Sequence, residues 1–167
     1  NGGQFAQSDQ YFETIALRDR NDKMAYSEAL ANQGLQQSNL SNFTAAVRLL
    51  DQAEAKAPRT DPVLQRLIRN YRAINQINQR KPDEALAELA RPVAPIVLTE
   101  DNELRNGLIT LPLADEINRE SNAYKQVNVG NSLRPAERAV VLDAQSLQLS
   151  GIALRLTGKL AEAATNL

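Results

Sequence analysis

The sequence predicts an all-α protein built from stacked helical hairpins, and a repeated residue pattern is the main reason. At four places a small residue stands four positions before a large apolar residue, and the small residues are separated by 38, 39 and 78 residues. The last gap is twice 39, so one intervening repeat has lost the pattern. Periods of this length are typical of helical repeat arrays. The four pairs are Ser8 with Phe12, Ala46 with Leu50, Ala85 with Leu89, and Ala163 with Leu167.

Composition favours a helical chain without catalytic machinery. The 167 residues carry a formal net charge of -1 and include neither Cys nor His. The chain therefore lacks the commonest metal ligand, the commonest general base and any thiolate, so we predict no enzyme activity, no metal and no cofactor. No run of 18 apolar residues occurs, and we expect no membrane partner.

The first complete hairpin is predicted between Asn21 and Pro58. Asn21 or Asp22 can cap a first helix whose apolar residues recur at helical spacing through residue 41. Ser41 is the predicted cap of the second helix, which ends near Ala57 because a proline follows.

The second hairpin is predicted to begin at Asp61-Pro62, an N-cap residue followed by proline at the first helical position. Its first helix runs to about Gln79. Its second helix begins near Lys81, and two carboxylates lie in its first turn, where the helix dipole favours them.

The remaining segments are less regular. Pro135 opens a long helix that ends at Gly158 and is followed by the start of a partner helix. No alternating pattern predicts a strand. We expect one domain, cut from a longer chain, with this division: 1–20 a half repeat, 22–58 a repeat, 61–92 a repeat, 93–131 a degenerate or irregular segment, and 135–167 a truncated repeat.

With these residues in hand, the chain resembles a tetratricopeptide repeat (TPR) array, whose 34-residue unit is a helix-turn-helix. The match covers roughly 110 residues by this pattern. The period here is longer by four or five residues, about one helical turn, which we assign to the first helix of each unit. The residues at repeat positions are Leu30, Gly34, Phe43, Ala46, Leu50, Ala53, Pro58, Ala85, Leu89, Leu147, Gly151, Gly158 and Ala163.

The resemblance implies a right-handed superhelix and a scaffold that binds a protein or peptide on a concave face formed by the first helices. Leu35, Ile74 and Ile152 recur at one position of those helices, either as an apolar groove or as packing between successive first helices. The predicted partner-binding residues are Leu35, Asn39, Arg66, Asn70, Ile74, Asn78, Gln148, Ile152 and Arg155.

The run from residue 135 to 163 is also similar in texture to repeat regions of bacterial proteins that carry a caspase-like CHAT domain. That similarity implies a bacterial protein. The location stays open, with the cytoplasm favoured. The similarity leaves open a second function, as a regulatory or self-assembly region of a larger protein that packs on another domain or another copy.

Two charged clusters have competing interpretations. The basic residues could clamp a carboxylate or a phosphate, including the phosphate groups of nucleic acid. The alternative is a solvated face paired with local acids, which the balanced overall charge favours. The acidic residues Asp115, Glu116 and Glu120 could hold a metal or be another solvated face. The basic cluster consists of Arg59, Arg66, Arg69, Arg72, Arg80 and Lys81.

Overall fold

The computed structural model of the chain describes residues 4–95 and 135–165, and their regular structure is entirely helical. The all-α prediction is confirmed for these residues, none of which forms a strand. The predicted irregular segment lies outside them from residue 96 onward, as do Gly3 and Leu167. The helices are α1 Phe5–Arg18, α2 Lys23–Asn39, α3 Phe43–Lys56, α4 Pro62–Asn78, α5 Pro82–Leu89, α6 Pro135–Leu156 and α7 Leu160–Ala164.

Two aspartates fix where the first helices begin. The Asp22 carboxylate accepts hydrogen bonds from the backbone N–H groups of Met24 and Ala25 at 2.9 and 3.2 Å. Asp61 accepts from the two N–H groups that follow Pro62, at 2.9 and 3.0 Å. Each side chain satisfies donors that the first helical turn leaves without partners.

Ser41 does not cap α3, contrary to the prediction from sequence. Its backbone lies in the left-handed region at φ 64° and belongs to the turn that ends α2. Ser41 N–H donates to Ser38 O at 3.0 Å, and Asn42 N–H donates to Gln37 O at 2.8 Å. This pair of bonds is the Schellman motif of a helix C-terminus. Asn42 precedes α3 without a side-chain capping bond.

The same turn recurs in the other two hairpins. Arg80 at φ 62° ends α4 and Gly158 at φ 79° ends α6, each with the same two backbone bonds. The three left-handed residues are therefore 39 and 78 residues apart, which is the period of the sequence pattern. Glycine occupies only the last of them, although it is the residue that this conformation favours.

The helices contact one another in a regular order. The first helices α2, α4 and α6 pack on their neighbours, since α2 contacts α4 and α4 contacts α6. Each second helix contacts the next first helix, which pairs α1 with α2, α3 with α4 and α5 with α6. Within hairpins, α2 packs on α3, α4 on α5 and α6 on α7.

Small residues allow the two helices of a hairpin to approach closely. Gly34, Ala73 and Gly151 occupy one position in the three first helices, and all three are buried. A Cβ atom at Gly34 would lie 2.9 Å from Leu50 Cγ and 3.3 Å from Ala46 O. Because Leu50 is itself fully buried, it cannot move aside cheaply.

Most residues at the other predicted repeat positions are covered. Leu147 differs from its counterpart, because it is 55% exposed although the matching residue of α2, Leu30, is buried. Gly158 is exposed in its turn, and Phe43, Pro58 and Leu89 are half-buried. The buried members are Leu30, Gly34, Ala46, Leu50, Ala53, Ala85, Gly151 and Ala163.

The core has two parts of different character. The first consists of leucines, alanines and Ile68 from the four helices α1, α2, α3 and α4, and Leu142 of α6 packs against it. The second consists of Ala73, Ala85 and Ala153, where α4, α5 and α6 meet. In the described ranges no helix is long and apolar enough to cross a membrane.

We predict that Arg80→Gly stabilises the protein by about 0.5–1 kcal/mol, because glycine adopts the left-handed turn without a steric cost. Urea unfolding followed by circular dichroism measures the change. The reverse exchange is the matched control: Gly158→Ala, at the same turn position, should cost about 1 kcal/mol. Equal effects of the two substitutions would contradict this explanation of the turns.

Candidate functional site

Arg72, a member of the predicted basic cluster on α4, is paired with two carboxylates. Its Nη2 donates to Asp51 Oδ1 and to Glu54 Oε2 of α3, both at 2.7 Å. Glu54 also pairs with Arg91, at 2.7 Å, which follows α5. These pairs tie α3, α4 and the end of the second hairpin together.

Arg66 is buried and binds three separate parts of the chain. Its Nε donates to Asp143 Oδ1 of α6 at 2.9 Å. Its Nη1 donates to Pro62 O of its own helix at 3.0 Å and to Ala94 O at 2.7 Å. The guanidinium thus joins α4, the segment after α5, and α6.

Asn70 and Ser146 extend these contacts between α4 and α6. Asn70 is fully buried. Its Nδ2 donates to Leu142 O at 2.8 Å and to Gln145 Oε1 at 3.0 Å, and its Oδ1 accepts from the Ser146 hydroxyl at 2.7 Å. Ser146 also accepts from Arg69 Nη2 at 2.6 Å. The α4–α6 polar cluster comprises Arg66, Arg69, Asn70, Asp143, Gln145 and Ser146.

This cluster holds more positive than negative charge. Asp143 is the single carboxylate of the cluster, at 2.9 Å from Arg66 and 3.4 Å from Arg69. Burial lowers the pKa of Arg69, Asp143 partly offsets that lowering, and neighbouring Arg66 lowers it further. A charged group that is removed from water needs compensating partners, and here the guanidiniums of Arg66 and Arg69 share one carboxylate, that of Asp143.

The cluster removes two residues from the predicted partner-binding surface. Arg66 and Asn70 were expected to line a groove, but their side chains are buried and engaged with α6. Arg66, Arg69 and Arg72 of the basic cluster are therefore paired with carboxylates inside the fold and are not free on the surface. Arg59 and Arg80 remain exposed, and Lys81 pairs with Glu84 at 3.5 Å.

The other predicted partner-binding residues lie toward the C-terminal ends of α2, α4 and α6. Leu35, Ile74 and Ile152 hold the same repeat position and are half-buried, as is Asn39, while the remaining three are exposed. A single charge is present in this set. We call these seven residues the first-helix strip: Leu35, Asn39, Ile74, Asn78, Gln148, Ile152 and Arg155.

Polar contacts hold the first helices together alongside the strip. Asn78 Nδ2 donates to Ser38 Oγ at 2.9 Å, and the Tyr71 hydroxyl donates to Asn32 Oδ1 at 3.0 Å. At the opposite end, Arg138 of α6 pairs at 2.6 Å with a carboxylate of α2, that of Glu28. The strip therefore lies on helices whose relative positions are fixed.

Comparison with protein-family models gives no match for this chain. Comparisons with curated proteins and with solved structures give none either. The resemblance to tetratricopeptide repeats and to the CHAT-associated repeats thus rests on residue pattern. No group of metal-binding side chains occurs within residues 4–95 and 135–165, and the acidic cluster Asp115, Glu116 and Glu120 lies outside the described residues.

We predict that Asp143→Asn destabilises the protein by about 2 kcal/mol, because it leaves two buried guanidiniums without a carboxylate. Urea unfolding measures the loss. Glu84→Gln is the matched control, since it makes the same exchange in an exposed pair and should cost less than about 1 kcal/mol. Similar losses for both variants would show that the α4–α6 polar cluster has no special role.

We predict an alkaline loss of stability that depends on Tyr71. Burial raises the pKa of its hydroxyl far above the usual value of 10.0, and the Glu28 carboxylate adds to the shift. Below pH 10 the phenol is neutral in both states, so its contribution is constant. Above pH 10 only the unfolded state ionises, and stability falls by up to about 1.4 kcal/mol per pH unit.

Unfolding free energies between pH 9 and about 11 test this linkage. Tyr71→Phe should flatten the decline relative to the unsubstituted chain, whereas Tyr11→Phe, at a side chain that is 64% exposed, should leave it unchanged. Parallel pH profiles for the chain and for Tyr71→Phe would contradict the assignment.

Proposed function

We propose that this chain is part of a TPR-like array, a right-handed solenoid of helical hairpins, and acts as a non-catalytic protein-interaction scaffold. Its ligand would be an extended or helical segment of another protein with few charges, held along the first-helix strip. Binding would use a preformed surface, so that little chain ordering opposes it. A cytoplasmic setting suits such a scaffold.

One observation carries this proposal: three aliphatic residues at one repeat position are left half-covered. Leu35, Ile74 and Ile152 recur at intervals of 39 and 78 residues, on first helices that pack in order. Their environment is mostly uncharged amide side chains. An apolar row with hydrogen-bonding groups beside it suits an apolar peptide face.

The charge distribution argues against the nucleic-acid alternative. Arg66, Arg69 and Arg72 have carboxylate partners in the fold, and the chain as a whole carries a formal charge of -1. A phosphate-led contact needs several free cations on one surface.

The second candidate, a region that packs on another copy or on another domain of a larger protein, has a specific observation in its favour. Exposed leucines occur on the last described hairpin, where Leu147 is 55%, Leu156 44% and Leu160 66% exposed. Such side chains favour burial against a further surface. Light scattering over a concentration series separates the two candidates, because a scaffold for peptides stays monomeric.

The scaffold proposal is tested by selecting ligands from a phage-displayed library of random 12-residue peptides. We expect enrichment of peptides with apolar residues and few charges. Synthetic copies should bind the chain in fluorescence anisotropy, and Ile74→Ser or Ile152→Ser should weaken binding about tenfold or more, because each removes buried apolar area.

Val47→Ser is the matched control for these variants. Val47 is a β-branched residue that is 38% exposed, but it lies on the second helix α3 and away from the strip. Its replacement should leave peptide affinity unchanged. The proposal would be refuted if no peptide were enriched, or if Ile74→Ser and Ile152→Ser left the affinity for the enriched peptides unchanged.

A further inference from the structure

A cavity of about 560 Å³ lies on the other side of α4 from the first-helix strip. Arg69, which lines it, precedes Ile74 by five residues, a rotation of about 140° around the helix. The C-terminal part of α3 and the segment after α5 form the other walls. Its volume falls in the range of pockets that hold small organic molecules.

Arg69 brings to the lining of this cavity a positive charge that the fold only partly neutralises. The side chain is only 10% exposed, and Nη2 donates to Ser146 and Asp143. Nε is buried and has no hydrogen-bond partner. Arg66 and Arg69 share the single carboxylate of Asp143, so an anion in the cavity would offset positive charge that the fold only partly neutralises.

The two carboxylates that line the cavity are already neutralised. Arg72 bridges Asp51 and Glu54, and Arg91 pairs with the second oxygen of Glu54. Arg59, in contrast, lines the cavity, is exposed, and forms no ion pair with any residue in the described ranges. The cavity therefore offers an unpaired cation at its edge as well as the buried Arg69.

Apart from the charged groups and Gln65, whose amide is hydrogen-bonded to backbone groups, the lining is apolar. Ile68, Ala57, Pro58 and Val93 contribute to it between the charged groups. An apolar wall beside two guanidiniums suits a ligand with a charged head and an apolar body, rather than a simple inorganic anion.

We propose that this cavity binds a small organic oxyanion, with its carboxylate or phosphate head on Arg69 and Arg59 and its apolar body against Ile68 and Val93. Arg guanidiniums match both kinds of head with paired hydrogen bonds. The site is separate from the first-helix strip, and its occupancy does not depend on the scaffold proposal.

The test uses the 167-residue chain and four probes, followed by two-dimensional ¹H–¹⁵N NMR. Benzoate and phenyl phosphate carry both a charged head and an apolar body. Benzamide lacks the charge, and inorganic phosphate lacks the body. We expect at least one of the first two to shift the amide resonances of Ala57, Ile68 and Val93, with a lower dissociation constant than either simpler probe. The ranking of benzoate and phenyl phosphate identifies the preferred head.

Variants at the cavity edge make the test specific. Arg59→Ser should weaken the binding of the better probe about tenfold, and Arg59→Lys should weaken it less, because a charged donor is lost in one and kept in the other. Arg48→Ser removes an exposed arginine elsewhere on α3 and should have no effect. Val93→Asp should abolish binding by placing a carboxylate in the cavity.

Several results would overturn the proposal. A dissociation constant for benzamide as low as that for benzoate would show that the charged head contributes nothing. A constant for inorganic phosphate as low as that for phenyl phosphate would show the same for the apolar body. Resonance shifts that map outside the cavity, an affinity that Arg59→Ser leaves intact, or no binding by benzoate and phenyl phosphate would each reject the site.

Discussion

The contact between Arg66 and Asp143 determines how the two described parts of the chain fit together. One buried guanidinium binds its own helix, the segment after α5, and α6, which lies 77 residues further along. With α6 in place, Leu142 reaches the first core cluster and Arg138 reaches α2. Arg66 is buried whereas the Asp143 side chain is 43% exposed, so separating the pair would leave a buried cation without its carboxylate, and this cost favours the observed arrangement.

The parts of the fold that depend on local chemistry could be predicted from the sequence. Asp22 and Asp61 begin helices because a carboxylate caps free N–H groups whatever surrounds it. Of the four small residues that define the repeat, Ala46, Ala85 and Ala163 are buried and Ser8 is half-buried. Ser41 was misassigned because serine is a common helix N-cap. The left-handed turn that it occupies is stabilised by backbone hydrogen bonds, and a residue other than glycine adopts that conformation at some steric cost.

The candidate sites were harder to predict, because burial depends on partners far away in sequence. Arg66 and Asn70 stand at groove positions by repeat register, yet Asp143 and Ser146 draw them into the α4–α6 interface. The repeat pattern of the sequence does not indicate that Arg66 and Asp143, 77 residues apart, form an ion pair. For the cavity beside Arg69, the sequence indicated its two cations, Arg59 and Arg69, as part of the basic cluster, but not its walls, because these come from three separate segments. The aliphatic row of the first-helix strip could be identified because it follows the repeat itself.

The three left-handed turns divide the chain into units that end in the same backbone geometry. Residues 42–80 span one period, so their removal would join Ser41 to Lys81 and recreate the turn found at Arg80. Gly34 would then face Ala85 and Leu89, which hold the positions of its present neighbours in α3. Repeat number in such a chain could change during evolution by whole-unit loss or duplication without any new turn or new packing register having to arise.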